Sequence, residues 1–354
     1  MAAGGAVFEP IRVMVVDDSA VARQAVVAAI NRTEGLISAG FAANGRVALD
    51  RLELMRPDVL VLDLEMPELD GISTLHELRR DHPELPVVVF SNLTSRGAAA
   101  TLEALAAGAS AFALKPTAIG DGAHSLDTEL IPLIIALGRR SAAPPQPTAA
   151  AVRRPLPRRT GPASAVVIAV STGGPAALTT VIGSLPGDLR VPVVIVQHMP
   201  PVFTRMLAER LNGQSALIVS EATDGERVRP GHVYIAPGGH HLRLVRTGML
   251  VEVVLDDGPP ENSCRPAADV LFRSAAKVYG SDLLGVVLTG MGSDGTRGAE
   301  AIRSAGGSVI VQDPVGAVIG SMPAAVIAAG LSEAEVPIDL MSTEIAARTG
   351  TSRP

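Results

Sequence analysis

Strand-length runs of Val, Ile and Leu, each stopping at a short polar or glycine-rich segment and followed by helical periodicity, recur along this 354-residue chain. No other feature constrains the fold as strongly, because β/α units in series build a parallel sheet with helices on both faces. In the first part the runs fall at residues 12–16, 37–41, 59–62, 87–90 and 111–114. Helical patterns at 20–30, 45–55, 71–81 and 98–107 separate them, and five β/α units result. The rhythm resumes with strands predicted at 165–170, 191–197, 284–289 and 308–312, and helices at 175–182, 204–211, 267–278 and 298–305. Between these, residues 232–236, 242–245 and 249–255 alternate or turn sharply at Arg246-Thr247-Gly248. They predict antiparallel strands or a hairpin inserted in a second α/β domain.

Residues 139–162 break the pattern. They carry Ala-Ala-Pro-Pro-Gln-Pro and Arg-Arg-Pro-Leu-Pro-Arg-Arg, with six arginines and no carboxylate over 139–160. Such sequence favours extended, solvated backbone, so a linker is expected between a domain at 1–138 and another at 163–350. Both flanking parts are acidic. The simplest expectation for the basic stretch is a solvated charge run; the sharper one is that it touches the acidic first domain and helps set domain orientation.

Several function classes lose support. Aromatics make up 2% of the chain, Trp is absent and the net charge is −6, which offers neither stacking platforms nor a basic surface for nucleic acid. The one cysteine, Cys264, has no internal disulfide partner, as befits a reducing cytoplasmic setting. Residues 1–10 lack the basic head and apolar stretch of a secretory signal, and the apolar runs are too short to span a bilayer. A soluble protein without membrane insertion is expected.

In a parallel α/β sheet ligands bind beyond the carboxyl ends of the strands. Asp17 and Asp18 follow one predicted strand and Asp63 another. Three acids in one cleft repel unless a cation neutralises them, and an oxygen-only donor set suits Mg²⁺. Ser91 and Lys115 follow two further strands, and Lys115 is one of only two lysines in an arginine-rich chain. A compact ammonium on a flexible stem fits a tight phosphate site where a planar guanidinium does not. Helix capping alone accounts for some acids here, but not for the serine and lysine beside them.

Ser171, in Ala-Val-Ser-Thr-Gly-Gly-Pro, lies at a strand-to-helix turn beside free helix N–H groups. A nucleophile, an anion-binding loop and a structural turn all fit that local motif. His198 ends the next strong strand, and Asp294 follows a later one within Thr-Gly-Met-Gly-Ser-Asp-Gly. Ser, His and Asp after three separate parallel strands is the arrangement a triad requires. His240 and His241 lie in a turn without the partners that complete a zinc site; His241 is a weaker candidate on the substrate side. Cys264 is a remote candidate nucleophile.

Val-Val-Asp-Asp-Ser at 15–19, Asp63-Leu-Glu-Met-Pro-Glu-Leu-Asp-Gly and Leu114-Lys-Pro resemble a two-component receiver domain, which is flavodoxin-like. The resemblance implies Asp63 as phospho-acceptor, Asp17, Asp18 and Asp63 around Mg²⁺, Ser91 and Lys115 on the phosphoryl group, and Phe112 as the aromatic switch. Ser171-Thr-Gly-Gly, Gln197-His-Met-Pro-Pro-Val-Phe, Tyr234-Ile-Ala-Pro-Gly, Arg265-Pro-Ala-Ala-Asp-Val-Leu-Phe and Leu288-Thr-Gly-Met-Gly-Ser-Asp-Gly resemble the chemotaxis protein-glutamate methylesterase (CheB) family. That implies a doubly wound α/β esterase domain that needs no cofactor. Ser171 would be nucleophile, His198 general base and Asp294 its orienter, with Thr172 and Met291 forming the oxyanion hole. It also implies hydrolysis of glutamate methyl esters on chemoreceptors, deamidation of receptor glutamines, and phosphorylation by a chemotaxis histidine kinase that relieves inhibition by the receiver. A phosphorylation-dependent receptor-docking module without esterase activity is the competing expectation. The family usually has Gly-Ala where this chain has Ala169-Val170, and Gly where it has Ser321; both changes add bulk near the expected active-site edge.

Overall fold

A computed structural model describes residues 9–116, 126–142 and 161–351 of the chain. The sequence expectations for residues 1–8 and for the basic stretch over 143–160 lie outside the described residues. The chain divides into two units, residues 1–146 and 147–354.

In the first unit β1 (Ile11–Val16), β2 (Leu36–Ala42), β3 (Val59–Asp63), β4 (Val87–Ser91) and β5 (Ala111–Leu114) form one parallel sheet in the order β2-β1-β3-β4-β5. Every residue of β3 and β4 is buried, as a sheet covered on both faces demands. Four helices start at short polar caps: Ser19, Asn44, Asp70 and Thr94 each accept from a backbone N–H three residues on. Each cap contributes about 1 kcal/mol. Asp17 and Asp18 therefore are not the caps; Ser19 fills that role, and Asp17 Oδ1 instead accepts from Ser19 N at 2.8 Å. A π-helical turn, Leu126–Leu130, leads into a helix, Ile131–Ala142, that no sequence pattern had separated. Its buried Ile134 and Leu137 complete the apolar cover, and it runs past residue 138, where the linker was expected to begin.

The second unit is built on a seven-stranded parallel sheet. Its strands are β6 (Ala165–Val170), β7 (Val193–Gln197), β8 (Ile218–Glu221), β9 (His232–Ile235), β12 (Leu283–Val287), β13 (Ser308–Gln312) and β14 (Ala334–Val336). They lie in the order β14-β13-β12-β6-β7-β9-β8. Between β9 and β12 in the chain, β10 (His241–Thr247) and β11 (Leu250–Asp256) pair as an antiparallel hairpin, as expected. The expectation for 232–236 needs correction. That segment is not antiparallel; β9 runs parallel between β7 and β8. Val233, Tyr234 and Ile235 are fully buried, which fits the interior of a parallel sheet, and a four-residue alternation does not encode direction. β8, β14 and the helices Ser321–Ala328 and Ile338–Arg348 lie outside the segments that the apolar pattern predicts. All six residues of β6 are buried at the centre of this sheet, and each fully buried Val or Ile contributes about 1.5–3 kcal/mol. This rigid centre carries the loops at the strands' carboxyl ends.

Candidate active site

At the carboxyl edge of the first sheet, ligand oxygens of Asp17, Asp18 and Asp63 lie within 4.8 Å of one another. Asp17 and Asp63 are buried and Asp18 is exposed. Lys115 Nζ reaches Asp17 Oδ2 at 2.8 Å and Asp63 Oδ2 at 2.7 Å. Burial raises the Asp63 carboxyl above its ordinary pKa, although Lys115 opposes the rise. Burial by itself would lower the lysine, but its bonds to Asp17 and Asp63 win and raise it. Ser91 ends β4 beside this cluster; its hydroxyl donates to Gly97 O at 3.3 Å. Phe112 is half-buried on β5.

In the second unit β6 and β7 are register neighbours through Val170 and Gln197, so the next residues, Ser171 and His198, emerge side by side. His198 N donates to Val170 O at 3.1 Å, and Ser171 N to Thr289 O at 3.0 Å. His198 Nε2 meets Asp294 Oδ2 at 2.7 Å. Asp294 is buried and also accepts from the backbone N–H groups of Ala268 at 2.6 Å, Asp269 at 3.0 Å and Gly295 at 2.9 Å. Burial disfavours the Asp294 carboxylate, yet the His198 bond and the N–H groups of Ala268 and Asp269 hold its pKa below the ordinary value. Burial likewise pushes the His198 imidazolium down; the bonds to Asp294 and Cys264 outweigh it, and the pKa is raised to about 9. Ser171 is half-buried, and its hydroxyl makes no hydrogen bond to the described residues. Such contacts commonly tighten only when substrate is bound.

The glycines after Ser171 have separate tasks. Gly173 has φ +79°, and a Cβ there would lie 2.5 Å from Val318. A Cβ at Gly174 would lie 1.9 Å from Gln197 Oε1, so this glycine makes room for the Gln197 side chain. Gln197 Nε2 donates to Ser171 O at 3.0 Å and to His198 O at 3.2 Å, tying the two loops together. No sequence motif assigns Gln197 a role, although a glutamine ending a Val-Val-Ile-Val strand is a usable signal.

Thr172 follows the serine in the chain, and Met291 follows Gly290, where a Cβ would lie 2.8 Å from Ser171 Cβ. Thr289 Oγ1 donates to Thr172 O at 2.8 Å, and the Met291 side chain is exposed. Ser321 Oγ accepts from Gly292 N at 3.1 Å and donates to Gly290 O at 3.0 Å, bracketing Met291. The extra atoms relative to glycine thus form a clamp on the 290–292 arc. Ser321→Gly is expected to lower kcat about threefold to tenfold, the scale of one or two lost hydrogen bonds. Steady-state kinetics on a methyl ester would check this, and an unchanged kcat would remove the clamp's importance.

The other histidines are engaged elsewhere. His241 is buried, with Nε2 against Pro259 O at 3.0 Å and Nδ1 accepting from Ala267 N at 3.2 Å. Both ring nitrogens are thus used by backbone, which leaves nothing for a substrate-side role. His240 pairs with Asp257 on the surface. Cys264 is closer to the chemistry than expected, its Sγ 3.6 Å from His198 Nδ1. No sequence pattern points to Asn262; its amide donates to Asp294 Oδ1 at 2.9 Å.

Two family models match the chain: CheB methylesterase over residues 166–345 and response regulator receiver domain over residues 13–126. A protein-glutamate methylesterase/protein-glutamine glutaminase of Trichodesmium erythraeum is 42% identical over 348 residues, spanning 96% of this chain and 99% of the relative. One from Nocardioides sp. is 43% identical, spanning 97% of each. The crystal structure of the Thermotoga maritima CheB methylesterase catalytic domain is similar at 44% identity and a TM-score of 0.52, covering 52% of this chain and 98% of that one.

Proposed function

The chain belongs to the CheB methylesterase family, and we propose that Ser171, His198 and Asp294 form its acyl-transfer site while Asp63 receives the phosphoryl group that controls it. It is a receiver-linked protein-glutamate methylesterase/protein-glutamine glutaminase, an enzyme rather than a bare docking module. The observation that carries the residue assignment is the 2.7 Å His198–Asp294 pair beside Ser171 at one sheet edge.

Ser171 Oγ attacks the ester carbonyl of a methylated glutamate as His198 takes its proton on Nδ1. That ring nitrogen is the one not bound to Asp294, and it exchanges its long contact with the Cys264 thiol for the serine. Asp294 holds the Nε2 proton and stabilises the imidazolium that forms. Backbone N–H groups of Thr172 and Met291 receive the oxyanion. Collapse expels methoxide, which takes the proton from His198 and leaves as methanol. Water, deprotonated by the same imidazole, then attacks the acyl-enzyme, restoring Ser171 and releasing glutamate. A glutamine substrate follows the same steps with ammonia leaving.

In the receiver, three clustered carboxylates, two of them buried and sharing the one ammonium of Lys115, suit a hard divalent cation. Asp17, Asp18 and Asp63 would hold Mg²⁺, which when bound neutralises charge on the phosphoryl oxygens. Lys115 would pair with the phosphoryl group and Ser91 would turn its hydroxyl toward it. The domains divide near residue 138, the first domain's last helix running on to Ala142 into the 139–162 linker, and the second spans 163–350. The phosphodonor is a chemotaxis histidine kinase, the substrate a methyl-accepting receptor and the compartment the cytoplasm. No described helix is long and apolar enough to cross a membrane. Methanol release from methylated receptor, with and without a phosphodonor and Mg²⁺, tests the whole assignment.

The raised His198 pKa has a kinetic sign. The base acts only when neutral, so activity is lost as pH falls through the imidazolium pKa of about 9. kcat/KM is expected to climb about tenfold per pH unit above neutrality and to level near pH 9. A plateau already reached at pH 7 would contradict the combined pull of Asp294 and Cys264 on the imidazolium.

A further inference from the structure

We propose that Asn262 is a positioning residue for the general base: a tight turn presents its amide to Asp294, fixing the carboxylate that orients His198. The inference rests on the Ser171-His198-Asp294 assignment and adds a part to it.

Glu261 and Cys264 exchange both backbone hydrogen bonds, Glu261 N to Cys264 O at 3.1 Å and Cys264 N to Glu261 O at 2.9 Å. The two residues between them, Asn262 and Ser263, have φ of 52° and 62°. Positive φ at both central positions is the type I′ pattern, and Asn is among the few residues that accept it readily. The turn is anchored from outside, because Arg273 grips both oxygens of Glu261 at 2.7 and 2.6 Å.

What the turn delivers is one amide to two acids. Asn262 Nδ2 lies 2.9 Å from Asp294 Oδ1 and 3.0 Å from Asp269 Oδ2. Asp269 is as buried as Asp294, and its other oxygen accepts from Gly298 N at 2.6 Å. Burial raises the Asp269 carboxyl pKa, and the charge on Asp294 adds to the rise. The amide thus stands between two buried carboxyl groups as a shared donor. Without it Asp294 keeps the N–H groups of Asp269 and Gly295 on the same oxygen, so the carboxylate stays in place but is held less firmly and faces Asp269 unscreened.

Asn262→Gly separates the amide from the turn, since glycine adopts positive φ without strain. In the full-length enzyme it should lower kcat about tenfold or more, the usual scale for a hydrogen bond to a charged group, with KM within about twofold. The downfield proton NMR signal of the His198–Asp294 hydrogen bond should weaken or broaden. Ser263→Gly loosens the same turn without removing the amide and should leave kcat, KM and that signal unchanged. Wild-type kcat and an intact signal in Asn262→Gly would overturn the proposal. So would an equal loss in Ser263→Gly, which would assign the effect to the backbone of the turn. Neither result would touch the triad itself, whose failure would show instead as activity surviving in Ser171→Ala.

Discussion

Ser171→Ala is expected to lower methanol release from methylated receptor by about a thousandfold or more, while phosphorylation at Asp63 proceeds as in the wild type. Removing the nucleophile leaves the oxyanion donors and the binding surface, which give only residual rate enhancement over water. The base–orienter pair remains, so the loss should appear in kcat with little change in KM. The substitution removes one oxygen from a half-buried position whose hydroxyl makes no bond to the described residues, so folding should be unaffected. Cys264→Ala is the companion variant. Its thiol is 3.6 Å from His198 Nδ1, close enough that a cysteine nucleophile is the specific rival. Most activity should survive in Cys264→Ala, and retention of activity in Ser171→Ala with loss in Cys264→Ala would reverse the assignment.

Asp63→Asn is expected to abolish stimulation by a phosphodonor completely and to leave the unstimulated esterase rate in place. A carboxylate attacks phosphorus; a neutral amide of the same shape does not. The amide still offers an oxygen to Lys115, so the cavity should keep its form, though the 2.7 Å ion pair becomes an ordinary hydrogen bond. Incorporation of labelled phosphate and methanol release, measured on one sample, check both halves. Stimulation persisting in the variant would mean that another carboxylate of the cluster, Asp17 or Asp18, accepts the phosphoryl group.

Much of this architecture was legible from where apolar runs stop. In a parallel sheet all carboxyl ends share one edge, so the convergence of Asp17, Asp18, Asp63 and Lys115 follows from strand boundaries alone. The adjacency of Ser171 and His198 follows in the same way, given that β6 and β7 are neighbours. Strand direction was harder. Residues 232–235 resemble either half of a hairpin, and only the crossover through β8 makes them parallel. Side-chain meetings across long separations were not legible. Asn262 reaches an acid 32 residues away because its turn takes two positive φ values, and no pattern in Asn-Ser-Cys-Arg-Pro announces which side chain points inward. The approach of Cys264 to His198, 66 residues apart, has the same origin. Ser321 was visible as a departure from the family, but its added bulk was expected to crowd the edge; in the fold its hydroxyl binds both sides of Met291.

Covalent trapping tests the central claim most directly. A serine-directed phosphonylating reagent would be incubated with the full-length enzyme and its attachment site mapped by peptide mass spectrometry, with methanol release followed in parallel. The expected result is a single adduct on Ser171 whose formation matches the loss of activity, unchanged in Cys264→Ala and absent when His198 is replaced. An adduct on Cys264, or full methanol release from enzyme quantitatively labelled at Ser171, would contradict it.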